Sequence, residues 1–134
     1  MYENEGYKLM GAAFEVYNQL GYGMAEEVYQ QCLEIELELR GISFLTKQEL
    51  TLVYKGRQIE KRYVPDLVVD GAVVVELKAT KELIADHEAQ LFNYMRIARQ
   101  PVGYLLNFGF KDELQWNRFV LDLGKKDTAI ISED

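Results

Sequence analysis

The run Val64-Pro65-Asp66-Leu67-Val68-Val69-Asp70-Gly71-Ala72-Val73-Val74-Val75-Glu76-Leu77-Lys78 decides how the rest of this chain is read. Two apolar, strand-like segments flank an Asp70-Gly71 turn, and Asp66, Glu76 and Lys78 interrupt them. Carboxylates and lysines are seldom fully buried unless paired or bound to a metal, so these three charges need a reason. Their facing depends on the loop. A two-residue turn would pair Val69 with Ala72 and send Asp66 and Glu76 to opposite faces. A three-residue loop pairs Val69 with Val73 and sets Asp66 across from Glu76, because side-chain direction alternates with period two. Asp-Gly alone favours the two-residue turn. Paired carboxylates require the three-residue loop or an equivalent bulge, and that register is the expectation. Carboxylates on opposite faces would remove the site. In the expected register Lys78 shares the face of Glu76.

Two carboxylates ~4 Å apart repel by about 4 kcal/mol at an effective dielectric near 20. A cation between them, or a proton on one of them, relieves that repulsion. Magnesium suits such a pair because it takes oxygen ligands, keeps waters and needs few carboxylates. A metal there can lower the pKa of bound water and stabilise charge on a phosphate, and Lys78 can position water or neutralise developing charge. An Asp–Lys or Glu–Lys ion pair closing a sheet end explains the same three residues equally well.

Outward from this stretch the chain reads as one domain, residues 1–124, with a polar C-terminal tail at 125–134. A first helix is expected from about Glu5 to Leu20, its apolar stripe made of Met10, Phe14 and Tyr17 with Ala13 beside them. Gly21-Tyr22-Gly23 breaks it. A second helix runs from about Ala25 to Arg40, with Val28, Cys32, Ile35 and Leu39 on one face and Tyr29, Leu33 and Leu37 widening it. From Phe44 to Lys78 the period changes to two. One strand lies around Leu50–Tyr54, Lys55-Gly56 offers a hairpin turn, and a second strand runs from about Gln58 through Pro65 to Val69. Val73–Lys78, apolar on both faces at its start, suits a central strand. A third helix spans about Ala85 to Arg99, followed by a buried strand at Val102–Asn107 and an outer one at Leu114–Leu121. Helix, helix, three strands, helix and two strands make an α/β fold with helices packed on a mixed sheet.

Composition narrows the chemistry. The 134 residues are 49% hydrophobic and 28% charged, enough for one domain that buries about 70% of its unfolded surface. No apolar run approaches the ~20 residues of a membrane span, and Met1-Tyr2-Glu3-Asn4-Glu5 lacks a signal peptide's layout. The expectation is a cytoplasmic protein with no membrane partner. Cys32 is the only cysteine and His87 the only histidine, which rules out an internal disulfide or a Cys/His zinc site within one chain. Only Ser43 and Ser132 could serve Ser-His-Asp chemistry, and neither has a nucleophile context. No Gly-rich phosphate loop is present. Carboxylates, lysine and a hard metal remain. The net charge of −7 argues against the sequence-independent DNA binding of basic proteins. Lys55, Arg57, Lys61 and Arg62 fall close together, which reads first as a solvated hairpin.

Two further constellations bear on the site. Glu26 and Tyr29 lie one helical turn apart after Gly23; taken alone, a glutamate at a helix start simply suits the helix dipole. His87, Gln90 and Tyr94 recur at three- and four-residue spacing on the third helix, beside an apolar stripe of Leu91, Met95 and Ala98. A polar stripe in that position is by itself compatible with plain solvation.

Taken together, these motifs resemble the small bacterial and archaeal GxxExxY family, assigned to the PD-(D/E)xK nuclease superfamily. The resemblance covers about Tyr7 to Phe110. Gly23, Glu26 and Tyr29 match the name-giving pattern, Asp66 and Glu76-Leu77-Lys78-Ala79 the nuclease-like strands, His87-Glu88-Ala89-Gln90-Leu91-Phe92-Asn93-Tyr94 the third helix, and Leu105-Leu106-Asn107-Phe108-Gly109 the strand after it. It implies a restriction-endonuclease-like αβββαβ core and, through Gln90 and Tyr94, the RecB-like branch. By that analogy Asp66, Glu76 and the Leu77 carbonyl bind Mg2+ or Mn2+, and Glu26 adds a ligand or holds a metal-bound water. Lys78 acts on water or phosphate, while Gln90, Tyr94, Tyr29 and His87 support the site or touch substrate. An arginine often found two residues before the aspartate is Val64 here, which puts a phosphate contact in doubt. The implied function is a metal-dependent nuclease acting on nucleic acid, DNA foremost. The alternative is an inert nuclease-fold module for binding or assembly, with a homodimer or a partner protein left open. A third reading is an unrelated structural domain held by ion pairs.

Overall fold

Along the sheet the strand order is β1-β4-β5-β6-β7, and its centre is the apolar run Val73–Lys78. The computed structural model describes residues 1–124; the tail expected at 125–134 lies outside them. In chain order the elements are α1 (Glu3–Leu20), α2 (Glu26–Leu39), β1 (Phe44–Thr46), β2 (Leu50–Tyr54), β3 (Arg57–Tyr63), β4 (Leu67–Val69), β5 (Val73–Lys78), α3 (Ala85–Ala98), β6 (Val102–Asn107) and β7 (Gln115–Val120). β1, β4 and β5 form an antiparallel meander. The chain then crosses through α3 to lay β6 parallel to β5, and β7 returns antiparallel at the edge. The sequence α2–β1–β4–β5–α3–β6 is the expected αβββαβ arrangement, within a mixed sheet flanked by helices.

The helices cover both faces. α1 and α2 pack Leu9, Ala13, Leu33 and Leu37 on the face of β4–β6 that carries Leu67, Val75, Leu77 and Leu106. α3 packs Leu91 and Met95 against Val74 and Leu105 on the other. That two-sided burial is why β5 reads as a continuous apolar run. Among the described residues no helix is long and apolar enough to cross a membrane.

Three expectations need correction. The strand expected from Gln58 to Val69 is broken at Val64–Asp66, and its first half, β3, pairs only with β2 in a separate two-stranded sheet. Pro65 has no N–H to give a ladder, and the place beside β4 is taken by Phe44–Thr46, not expected as a strand of its own. On α1, Phe14 is exposed and Tyr17 only half-buried, while Leu9, Ala12 and Val16 join Met10 and Ala13 inside. Phe14 instead meets Trp116 edge to face at 6.5 Å on the rim. On α2 the wider stripe wins: Tyr29, Leu33 and Leu37 are buried, whereas Val28, Ile35 and Leu39 are exposed. Both stripes have helical spacing, and only the one that meets α1 and the sheet is dry. Leu33→Ala is therefore expected to cost about 2–5 kcal/mol in urea unfolding, and Leu39→Ala to stay within about 0.5 kcal/mol. Equal losses would refute this helix orientation.

Candidate active site

Val69 pairs with Val73 and Leu67 with Val75, the register of a three-residue Asp70-Gly71-Ala72 loop. Ala72 N–H closes it by donating to Val69 O at 3.0 Å, with Asp70 and Gly71 both at positive φ. One step further, Asp66 stands opposite Glu76. Both are buried, at 4% and 3% exposure. Each carboxyl is held by the other strand's backbone: Asp66 N–H donates to Glu76 Oε1 at 2.8 Å, and Leu77 N–H donates to Asp66 Oδ2 at 2.8 Å. A strand residue's N–H and C=O share one edge, so the Leu77 carbonyl also faces the Asp66 side.

Such proximity is electrostatically costly. Burial, then the charge of Asp66, pushes the Glu76 carboxyl up from 4.5 to about 8. Two lysines answer the charge. Lys47, just past β1, reaches Asp66 Oδ1 at 2.6 Å. Desolvation would lower the Lys47 pKa, but the hydrogen bond and charge of Asp66, with Glu76 and Glu26 behind it, outweigh this and raise it. Lys78 donates to Gln90 Oε1 at 2.7 Å, and Gln90 Nε2 donates to the Tyr94 hydroxyl at 3.1 Å. The three- and four-residue spacing on α3 thus delivers Gln90 and Tyr94 to the end of β5. Burial and then Glu76 hold the Tyr94 hydroxyl above its usual pKa.

The remaining expected residues divide. Glu26 opens α2 and is exposed as a residue. Desolvation of its carboxyl and the charge of Asp66 still raise its pKa, with Lys78 and Lys47 pulling the other way. Among the described residues no three His, Cys, Asp or Glu are grouped to hold a metal ion, so Glu26 stands within electrostatic reach of the pair without joining it. Tyr29 is fully buried. Its hydroxyl donates to Gly21 O at 2.5 Å and accepts from Met24 N–H at 3.1 Å, and its ring stacks on Phe108 at 4.8 Å. It pins the loop before Glu26, with Gly23 at φ 105° inside that loop. His87 caps α3: its Nδ1 accepts from Ile84 N–H at 3.1 Å and its own N–H donates to Ile84 O at 3.0 Å. Burial, then Lys78, lowers its pKa, in keeping with a neutral ring.

Lys47, Gln30 and Asn107 were not foreseen as site residues. Buried Gln30 donates to Asp66 O at 3.1 Å and to Glu34 Oε2 at 2.8 Å. Glu26, Gln30 and Glu34 repeat every four residues on α2, a signal that could have revealed it. Fully buried Asn107 accepts from Thr80 N–H and Gly109 N–H, both at 3.0 Å, and donates to Thr80 O at 3.0 Å, tying the strand end after Lys78 to β6. A Cβ on Gly109 would come within 2.4 Å of Thr80 backbone atoms, so only glycine fits there.

The donor set suits a hard divalent cation: two carboxylates with a backbone carbonyl on the same edge, which is as much protein as magnesium usually takes. In this structure Asp66 Oδ1 is bonded to Lys47, whose ammonium must withdraw before a cation uses that oxygen.

A Glu76 pKa of about 8 in the fold, against 4.5 in the unfolded chain, means the native state keeps a proton the unfolded state has lost. That stabilisation is complete below about pH 4.5 and is lost as pH rises to about 8, at up to about 1.4 kcal/mol per pH unit. In EDTA, Glu76→Gln is expected to remove that decline from urea midpoints measured between pH 5 and 9. An unchanged slope would mean the pair is not strained.

Comparison with known proteins agrees with this layout. The profile of the PD-(D/E)XK nuclease superfamily matches residues 3–119. Among curated proteins none matches the chain. The crystal structure of SSO0001 superposes with a TM-score of 0.60 at 17% identity, over 96% of this chain and 64% of that one. At that identity the likeness is one of fold, and this chain spans only 64% of that protein's length.

Proposed function

Because the chain belongs to the PD-(D/E)XK nuclease superfamily, we propose that it is a metal-dependent phosphodiesterase acting on nucleic acid, DNA foremost. The observation that carries this reading is the buried Asp66–Glu76 pair, with Lys78 two residues further along the same strand. A pair so costly to keep dry is accounted for by a cation that it binds. In this reading Asp66, Glu76 and the Leu77 carbonyl hold Mg2+ or Mn2+, which would supply positive charge to the phosphate and acidify a bound water.

The chain's own residues do the rest. Gln90, steadied by Tyr94, aims the Lys78 ammonium, which neutralises charge growing on the phosphate oxygens. Gln30 and the Leu77 N–H keep Asp66 in place as Lys47 exchanges. Glu26, at the exposed margin, accepts hydrogen bonds from water entering the site. Tyr29 and His87 act through α2 and α3, since the one is buried away from solvent and the other is spent on its helix cap.

The second reading, an inert binding or assembly module, is favoured by the Lys47–Asp66 ion pair, which satisfies the aspartate without a metal. Calorimetric titration separates the two. Wild type is expected to bind Mn2+ or Mg2+ and Asp66→Ala to lose binding. Lys47→Met should bind roughly tenfold more tightly, about 1.4 kcal/mol, because its competing ammonium is gone. On labelled DNA, Asp66→Ala and Lys78→Ala should each reduce cleavage by about a thousandfold, the scale of losing a charge-stabilising group. Equal metal binding by wild type and Asp66→Ala would leave the inert module standing.

A further inference from the structure

The β2–β3 hairpin is an insertion in the sheet, and it is rooted in the candidate site itself. Lys47 precedes it and Asp66 follows it, and the two residues are joined by Lys47 N–H to Asp66 O at 3.2 Å as well as by their side chains. Between them β2 and β3 pair only with each other. One face is seated: Leu50 is buried, Leu52 half-buried, and the Tyr63 ring meets Tyr94 edge-on at 6.4 Å. Tyr94 is the residue that steadies Gln90, so the hairpin leans on the same helix that aims Lys78. A Lys55-Gly56 turn, both residues at positive φ, ends it. Five extended residues reach about 17 Å, the rise of about five base pairs.

Its charge runs against that of the whole chain. Lys55, Arg57, Lys61 and Arg62 are all exposed, and between Glu49 and Tyr63 the sequence carries only two carboxylates, Glu49 and Glu60, whereas the whole chain carries −7. Arg62 is engaged, with Glu49 at 3.9 Å and Glu60 O at 2.8 Å. Lys55, Arg57 and Lys61 make no ion pair among the described residues; Lys55 lies 5.5 Å from the centre of the Tyr54 ring. Cations without a carboxylate partner among the described residues, on an arm that begins and ends at the candidate site, match a polyphosphate chain lying across that site.

We propose that the β2–β3 hairpin is the nucleic-acid-gripping arm, with Lys55, Arg57 and Lys61 binding backbone phosphates on either side of the one presented to Asp66, Glu76 and Lys78. This rests on the phosphodiesterase reading and adds where its substrate is held. The contact is to phosphate, so it positions any sequence and distinguishes none. Each phosphate neutralised contributes about 0.9 to the salt slope on duplex and about 0.7 on single strands.

The test is fluorescence anisotropy of labelled duplex and single-stranded oligonucleotides with the full chain, in EDTA so that binding is read without cleavage, across a range of KCl concentrations. Lys55→Gln/Lys61→Gln is compared with Lys8→Gln/Lys111→Gln, which removes the same charge from exposed positions elsewhere, and with Lys55→Arg/Lys61→Arg, which keeps it. The arm predicts about tenfold weaker binding and a salt slope lower by about 1.8 on duplex and about 1.4 on single strands, for the first pair only. Circular dichroism checks that each variant is folded. The proposal is overturned if wild type binds neither oligonucleotide at low salt, if both glutamine pairs weaken binding alike, or if poly-glutamate displaces DNA at equal charge. Failure of the catalytic reading looks different: binding would depend on the arm while no metal supports cleavage.

Discussion

Two carboxyl groups that face each other at the end of two inner strands, on residues that are both buried, cannot both be charged and uncompensated. In this chain the constraint arises from one loop length. The extra residue between Val69 and Val73 turns Asp66 onto the side of Glu76, and almost every polar contact nearby answers the charge thus concentrated. Two backbone N–H groups bond across the strands, Lys47 reaches in from just past β1, and a proton is held on Glu76 up to about pH 8. None of these compensations lies at the core of the protein. They gather at the sheet end where α2, α3 and the hairpin root meet.

Rigidity at that end has to come from outside the carboxylate pair. Gln30 fixes the Asp66 backbone from α2, and Asn107 with Gly109 clamps the chain just after Lys78 to β6. Tyr29 fastens the loop before Glu26 and, by stacking on Phe108, connects α2 to the far side of the same clamp. These residues are buried or nearly so, and their partners are mainly backbone atoms. A backbone held in this way keeps the carboxylates where the register puts them, and in the proposed reading the exposed Lys47 would swing away from Asp66 without disturbing them.

The register, the central strand, the α3 stripe of Gln90 and Tyr94 and the hairpin turn at Lys55-Gly56 were legible because each depends on neighbours within a few residues or on period two. The buried faces of α1 and α2 were misjudged because both helices carry more than one apolar stripe; Val28, Ile35 and Leu39 have good helical spacing yet face out. Choosing between stripes needs the position of the sheet, a tertiary fact. Lys47 was invisible for a similar reason. Its partner is 19 residues away, across an inserted hairpin, and nothing local distinguishes it from a surface lysine. His87, expected to support the site or touch substrate, is placed at the start of α3, where its ring accepts the Ile84 N–H, a local contact that a polar stripe alone does not reveal.

The strongest sequence objection to nucleic acid was the charge of −7. Net charge is a poor guide at this scale, because fields between exposed groups fade over about 8–10 Å at physiological salt. Five of the acidic residues are spread along α2 at Glu26, Glu27, Glu34, Glu36 and Glu38, whereas the hairpin from Leu50 to Tyr63 carries four cations and one carboxylate. A phosphate chain approaching the sheet end would meet Lys47, Lys78 and the hairpin before it felt the outer turns of that helix. While Glu76 keeps its proton, the carboxylates of Glu26 and Asp66 stand against Lys47 and Lys78; once that proton leaves, three carboxylates face two lysines. In the proposed reading a divalent cation would take the place of that proton, where a further lysine would crowd out the phosphate.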